Sequence, residues 1–126
     1  MRGNDKRKIL IVDDEPNVRR LVGTMLNKKY AVLEAEDGSQ AIDIACTKKP
    51  DLILMDILMP KMDGYTSCYA IKNEPTTKSI PIIMLSAIDL KLNLKLSQDI
   101  GADGYITKPF TKKALLDNIA QFLENP

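Results

Sequence analysis

The chain has 126 residues, enough to bury a two-faced sheet under helices and too few for an added effector domain. Lys and Arg number 18 against 17 Asp and Glu, with no basic stripe or interleaved aromatics, so direct nucleic-acid binding is not expected. There is no histidine, which excludes Ser-His and Cys-His nucleophile systems, His-ligated zinc and a histidine phosphocarrier, and leaves carboxylate, hydroxyl, lysine and a hard metal for chemistry.

The segment Met1 to Lys8 is polar and basic, without the hydrophobic stretch of a signal peptide, and no apolar run approaches a membrane span. A cytoplasmic protein without membrane contact is expected, with residues 1–7 as a flexible tail on a single domain covering 1–126. Ile9 to Val12 is a short continuous apolar run, the pattern of a parallel strand covered on both faces. Behind Pro16, a helical stripe takes in Val18, Leu21, Val22, Met25 and Leu26. Tyr30 to Ala35 suits an edge strand. A second helix runs from Ser39 through Ala41, Ile42 and Ala45 and is halted by Pro50. Leu52 to Met55 repeats the buried-strand pattern. The third helix starts near Asp63 and Gly64, read as a helix start and a tight turn, puts Tyr65, Cys68 and Tyr69 on one face, and stops before Pro75.

Pro81 opens the third continuous apolar run, Ile82 to Leu85. From Ile88 to Leu96 apolar and polar residues alternate, a strand pattern on its own. The succession of strands and helices, and Gly101 as a stop, make it a fourth helix. Leu92 and Leu96 then lie nearly opposite Leu90 and Leu94, and one pair is left facing solvent as a contact surface. Gly104 to Thr107 is a second edge strand. Thr111 caps a fifth helix that buries Leu115, Leu116, Ile119 and Leu123. Cys46 and Cys68 have no CxxC spacing and fall among apolar residues, so both read as buried, reduced thiols.

The apolar runs share one feature that packing does not require. Val12 gives way to Asp13 and Asp14, Met55 to Asp56, Leu85 to Ser86, and Ile106 and Thr107 to Lys108. Parallel strands would gather these side chains at one sheet edge, where open α/β sheets bind ligands. Three carboxylates, a hydroxyl and an ammonium are the parts of a metal-assisted phosphoryl-transfer site. Clustered carboxylates repel unless a cation sits among them, and an oxygen-only ligand set suits Mg²⁺, with Mn²⁺ as the alternative. Read singly, Asp13, Asp14 and Glu15 are favourable charge at a helix N-terminus, and Glu15 keeps that reading.

Four stretches carry a family resemblance: ILIVDDE over 9–15, LMDILMPKMDG over 54–64, IPIIMLSA over 80–87 and GADGYITKPF over 101–110. In this order at strand ends, they resemble the receiver domain of two-component response regulators, in the manner of chemotaxis-regulator-like single domains. The resemblance implies a flavodoxin-like, doubly wound, five-stranded parallel sheet in the order 2-1-3-4-5 with five flanking helices. It implies that Asp56 is phosphorylated, that Asp14 ligates Mg²⁺ directly and Asp13 through water, and that the Leu58 carbonyl completes the metal site. Lys108 and Ser86 would balance charge on the phosphoryl oxygens, with a cis bond before Pro109. Ala87 would leave room beside the phosphoryl group, and Ser86 and Tyr105 would form a switch read out on the fourth helix, fifth strand and fifth helix.

On this resemblance the phosphoryl donor is a sensor histidine kinase or phosphotransfer protein. The output is a downstream protein or fused effector domain, or a homodimer formed on phosphorylation. The chain would catalyse only its own phosphorylation and dephosphorylation. A Mg²⁺-dependent phosphohydrolase of the aspartyl-phosphate type is the competing enzyme class, but it needs an Asp-x-Asp pair after the first strand, and Asp13-Asp14-Glu15 does not supply one. A binding module that has lost phosphorylation would not keep every acceptor-site residue, and an FMN protein would need a hydroxyl-rich phosphate loop.

Overall fold

The computed structural model describes residues 6–57, 64–86 and 101–124. Strands and helices alternate along it: β1 (Lys8–Val12), α1 (Pro16–Leu26), β2 (Ala31–Ala35), α2 (Gly38–Lys48), β3 (Leu52–Asp56), α3 (Gly64–Lys72), β4 (Ile82–Ser86), β5 (Gly104–Thr107) and α4 (Lys112–Leu123). All pairings are parallel and the sheet order is β2-β1-β3-β4-β5, as expected, with the two less apolar runs at the edges. Four helices lie among the described residues. The helix expected from Ile88 to Leu96, with its Leu90 and Leu94 pair, lies outside them.

Each strand feeds two cores, because successive side chains point to opposite faces. Leu10, Val12, Ile53, Met55, Ile82 and Met84 meet Ala41 and Ala45 of α2 and Cys68 and Ile71 of α3. Ile9, Ile11, Leu52, Leu54, Ile83 and Leu85 meet Val22 and Leu26 of α1 and Leu115, Ile119 and Leu123 of α4. A buried Leu or Ile contributes about 1.5–3 kcal/mol, more than a helix-propensity difference between ordinary residues, so burial decides which face of each helix turns inward. The helix starts fit local chemistry. Asp37 accepts from the Gln40 N–H at the start of α2, and Thr111 accepts from the Ala114 N–H at the start of α4, the cap read from sequence.

Four details differ from the sequence reading. Leu21 is 57% exposed and Tyr69 58% exposed, whereas Val22, Leu26, Cys68 and Ile71 carry the contacts with the sheet. Each misplaced residue is one 100° step from a buried neighbour, enough to leave it at the rim. Cys46 is exposed for the same reason: α2 buries Ala41 and Ala45, and Cys46 is one step beyond. Cys68 is buried as expected, and burial pushes its thiol up to about 12. Tyr30 precedes β2, and its buried ring joins the α1/α4 core.

The N-terminal edge of the sheet is closed by polar contacts. The Lys72 ammonium donates to Asp103 Oδ2 at 2.9 Å and to the Ile80 carbonyl at 3.0 Å, while the same Asp103 oxygen accepts from the Ile82 N–H at 2.9 Å. The Tyr30 hydroxyl donates to Glu124 at 2.6 Å, and Lys29 pairs with the other oxygen of that carboxylate. Asp51 accepts from the Lys8 N–H at 2.7 Å.

Candidate functional site

The opposite edge, at the C-terminal ends of the strands, gathers the acidic residues. Because β1 and β3 are neighbours in register, with Val12 opposite Met55, Asp13 and Asp56 leave the sheet side by side. Asp13, Asp14 and Asp56 each offer a carboxylate oxygen, and these oxygens lie within 4.8 Å of one another. Asp13 is 2% and Asp56 8% exposed, while Asp14 is exposed. Lys108, just past β5, brings its ammonium to 3.2 Å from Asp56 and 3.3 Å from Asp13. The Lys108–Pro109 peptide bond is cis.

The Asp13 polar atoms are all engaged. Its N–H donates to the Ala35 carbonyl at 3.1 Å, its Oδ1 accepts from the Glu15 N–H at 2.9 Å, and its carbonyl accepts from Arg19 at 2.7 Å. Charge in this small volume shows in the titration of the groups. Burial pushes the Asp56 carboxyl up to about 6; Lys108 pulls it down, and Asp13 and Asp14 raise it further. For Lys108, burial works against the ammonium, but Asp56 and Asp13 outweigh it and the pKa ends above the ordinary lysine value. The edge therefore holds one carboxylate reluctant to carry charge, two more within reach of it, and a fixed cation.

Ser86 closes β4 opposite Thr107, at the same sheet edge; its side chain lies outside the described residues, as do Leu58, Asp63 and Ala87. The half-buried Tyr105 stands on β5 opposite Met84 and packs against the α2/α3 core. Gly64 does more than turn the chain. Its N–H donates to the Ile57 carbonyl at 2.8 Å, and the space a Cβ would take is filled by the Asp56 carbonyl oxygen and by Ile57 Cα. Sequence reasoning missed Arg19. The signal was there as an Arg in the first turn of α1 facing an edge-strand Glu34, but nothing local distinguishes it from surface charge.

The model of the response regulator receiver domain family matches residues 9–120, most of the chain. The chain belongs to that family. Receiver domains are signalling domains of two-component systems rather than enzymes that turn over a separate substrate. Among curated relatives, the chain is 39% identical to protein PilG of Pseudomonas aeruginosa over 117 residues, covering 92% of this chain and 87% of PilG. It is 40% identical over 126 residues to the probable transcriptional regulator ycf27 of Cyanophora paradoxa, covering 97% of this chain and 52% of that protein. The chain thus spans about half the length of the ycf27 relative. Among solved structures, the receiver domain of the sensor histidine kinase PA1611 from Pseudomonas aeruginosa superposes with a TM-score of 0.87 at 30% identity, covering 94% of this chain and 98% of that one. That receiver carries a magnesium ion coordinated in its active site cleft. No helix among the described residues is long and apolar enough to cross a membrane.

The acidic cluster fits a small hard cation. Its donors are carboxylate oxygens, two of them on nearly buried residues, and the third carboxylate faces solvent, where water can complete a shell. Thiolate or imidazole donors, which would favour zinc or copper, do not occur among these ligands.

Proposed function

We propose that this receiver accepts a phosphoryl group on Asp56 in the presence of Mg²⁺ and passes the signal on by changing its affinity for a partner. The observation that carries the reading is the convergence of Asp13, Asp14, Asp56 and Lys108 on one edge of the sheet. The donor is a phosphohistidine on a sensor kinase or phosphotransfer protein. An Asp56 carboxylate oxygen attacks phosphorus, the P–N bond breaks, the imidazole leaves, and an acyl phosphate remains on Asp56. Asp14, Asp56 and the Leu58 carbonyl would hold the cation, with Asp13 acting through water. Bound Mg²⁺ supplies positive charge for the phosphoryl oxygens and helps the crowded carboxylates stay ionised.

The chain's own groups do the rest. Lys108 is already tethered between two carboxylates, so its ammonium can follow a phosphoryl oxygen on Asp56 by a small movement and balance its charge. Ser86 supplies a hydroxyl from the end of the adjacent strand, and Ala87 leaves room. On this reading Ser86 and Tyr105 relay the modification to the surface formed by the fourth predicted helix, β5 and α4. That surface binds an output protein, a fused effector domain or a second copy of the chain.

The test is acceptor mapping. Incubated with a small-molecule phosphodonor and Mg²⁺, the protein should gain one phosphoryl group, located on Asp56 by mass spectrometry and lost on addition of chelator beforehand. Full labelling of Asp56→Asn, or labelling that persists in chelator, contradicts the assignment.

The lifetime of the acyl phosphate is a second expectation. Hydrolysis needs an aligned water, which polar side chains near the acceptor can hold. The positions two residues after Asp56 and two after Ser86 are Leu58 and Ile88, neither of which has a donor or acceptor in its side chain. The double variant Leu58→Asn, Ile88→Glu should therefore lose phosphate about tenfold or more faster, a modest part of the roughly hundredfold or more that a fully positioned acid or base contributes. Quenched time points measure it. Unchanged or slower loss would mean that these positions do not set the lifetime.

A further inference from the structure

Arg19 makes two contacts that join the acidic turn to the edge of the sheet. Its Nη1 donates to the Asp13 carbonyl at 2.7 Å, and its Nε donates to Glu34 Oε1 at 2.9 Å. The side chain is only 14% exposed, against 52% for Glu34. Glu34 lies on β2 opposite Ile11 of β1, so the guanidinium spans from the first turn of α1 back across β1 to the edge strand. Planar and always charged, a guanidinium can hold two acceptors in fixed directions at once.

The carbonyl it holds belongs to the peptide that joins Asp13 to Asp14. Asp13 is fixed independently, through its N–H, its Oδ1 and Lys108. Asp14 is different: it is exposed, and no side-chain hydrogen bond or ion pair fixes it among the described residues. Among the described residues, its carboxylate is directed into the cluster by the backbone from which it hangs. The plane of the Asp13–Asp14 peptide helps set that direction; the Glu15 N–H on Asp13 Oδ1 holds the turn from one side, and Arg19 holds the peptide's carbonyl from the other.

We infer that Arg19 is a positioning residue for cation binding, holding the Asp13–Asp14 peptide so that the Asp14 carboxylate faces Asp13 and Asp56. The inference rests on the reading of the acidic cluster as a Mg²⁺ site. Side chains that orient ligands from behind typically change metal affinity by about ten- to a hundredfold when removed. The competing account is an ion pair that only ties α1 to β2. That account predicts equal consequences from either partner, whereas positioning predicts that Arg19 matters far more than Glu34.

The experiment is calorimetric titration with Mg²⁺ of the full chain and four variants, with thermal melts in chelator. Arg19→Met should weaken Mg²⁺ binding by about tenfold or more, and Arg19→Lys, which keeps a donor for the carbonyl, should recover part of the loss. Glu34→Gln should change affinity by no more than about fivefold, since it removes an exposed partner and leaves the donor to Asp13 in place. Val22→Ala, in the same helix but in the core, should lower the melting temperature without weakening Mg²⁺ binding comparably. At saturating Mg²⁺ the phosphorylation rate of Arg19→Met should return towards that of the unaltered chain. The inference is overturned if Arg19→Met loses no more affinity than Glu34→Gln, or no more than Val22→Ala at matched loss of stability. If the unaltered chain itself binds no Mg²⁺, the reading of the cluster fails, and this inference fails with it.

Discussion

Asp56→Asn should make the metal-free protein more stable by about 3 kcal/mol at pH 7 while removing the proposed phosphoryl acceptor. The Asp56 carboxyl is pushed from 3.8 up to about 6 by burial, reinforced by Asp13 and Asp14 and only partly offset by Lys108. A raised carboxyl pKa means that the folded chain binds the proton more tightly than the unfolded chain does. Above about pH 6 both forms are ionised and the full penalty weighs on the folded state. As pH falls from 6 towards 4, the folded protein takes up the proton first and the penalty disappears. Asparagine carries no charge, so it escapes the penalty throughout, and Lys108 keeps Asp13 as a partner. Urea unfolding in chelator, run on both proteins from pH 4 to 8, should show a stability gap that is widest near neutrality and closes on acidification. A gap independent of pH, or one in favour of the aspartate, would contradict this account. Mg²⁺ should narrow the gap at pH 7, because it binds the folded acidic form.

Gly64→Ala should be the most damaging single methyl group that can be added at a glycine described here. The new Cβ would meet the Asp56 carbonyl oxygen at less than contact distance, Ile57 Cα at 2.9 Å and Met84 Cε at 3.0 Å. Two of these atoms are backbone of the acceptor strand and its exit, which cannot turn aside as a side-chain end can. Either α3 lifts away from the sheet or the end of β3 shifts, and each displaces Asp56. A loss of about 3 kcal/mol is expected, at the upper end of overpacking effects, with phosphorylation impaired beyond what the stability loss explains. Gly23→Ala is the contrasting case. Its Cβ would find only Val32 Cγ1 at 3.8 Å, and alanine in the middle of α1 should add about 0.5–1 kcal/mol. Equal urea midpoints for the two variants would show that the close approach at Gly64 does not matter.

The parts of the fold legible in the sequence are those fixed by local pattern. Ile9 to Val12, Leu52 to Met55 and Ile82 to Leu85 could be read as central strands because both of their faces are covered, and covered strands have no polar alternation. Thr111 could be read as a cap from its position ahead of an apolar stripe. The strand order came from the family resemblance, since no periodicity within a strand says which neighbour it takes. Leu21, Cys46 and Tyr69 were misplaced because the width of a buried helical stripe depends on what packs against it, and that is tertiary information. The acidic residues stood out because a carboxylate ending an apolar run needs some reason to be there. Arg19 did not, because its partner is a backbone carbonyl, which every residue possesses and no sequence displays. Gly64 was read as a turn for a similar reason: the close approach that requires it belongs to another strand.

The polar contacts at the N-terminal edge of the sheet have a consequence for how such a chain can diverge. Lys72 with Asp103, and Tyr30 with Glu124 and Lys29, all lie at the end away from Asp13, Asp56 and Lys108. Changes there alter how firmly helices are fastened to the strands, and they lie the length of a β-strand away from the reactive edge. Thermal tolerance can therefore drift at one pole of the molecule while the reactive groups at the other keep their spacing. Within a lineage, substitutions that adjust working temperature should accumulate at the N-terminal pole without a matching change in the acidic cluster.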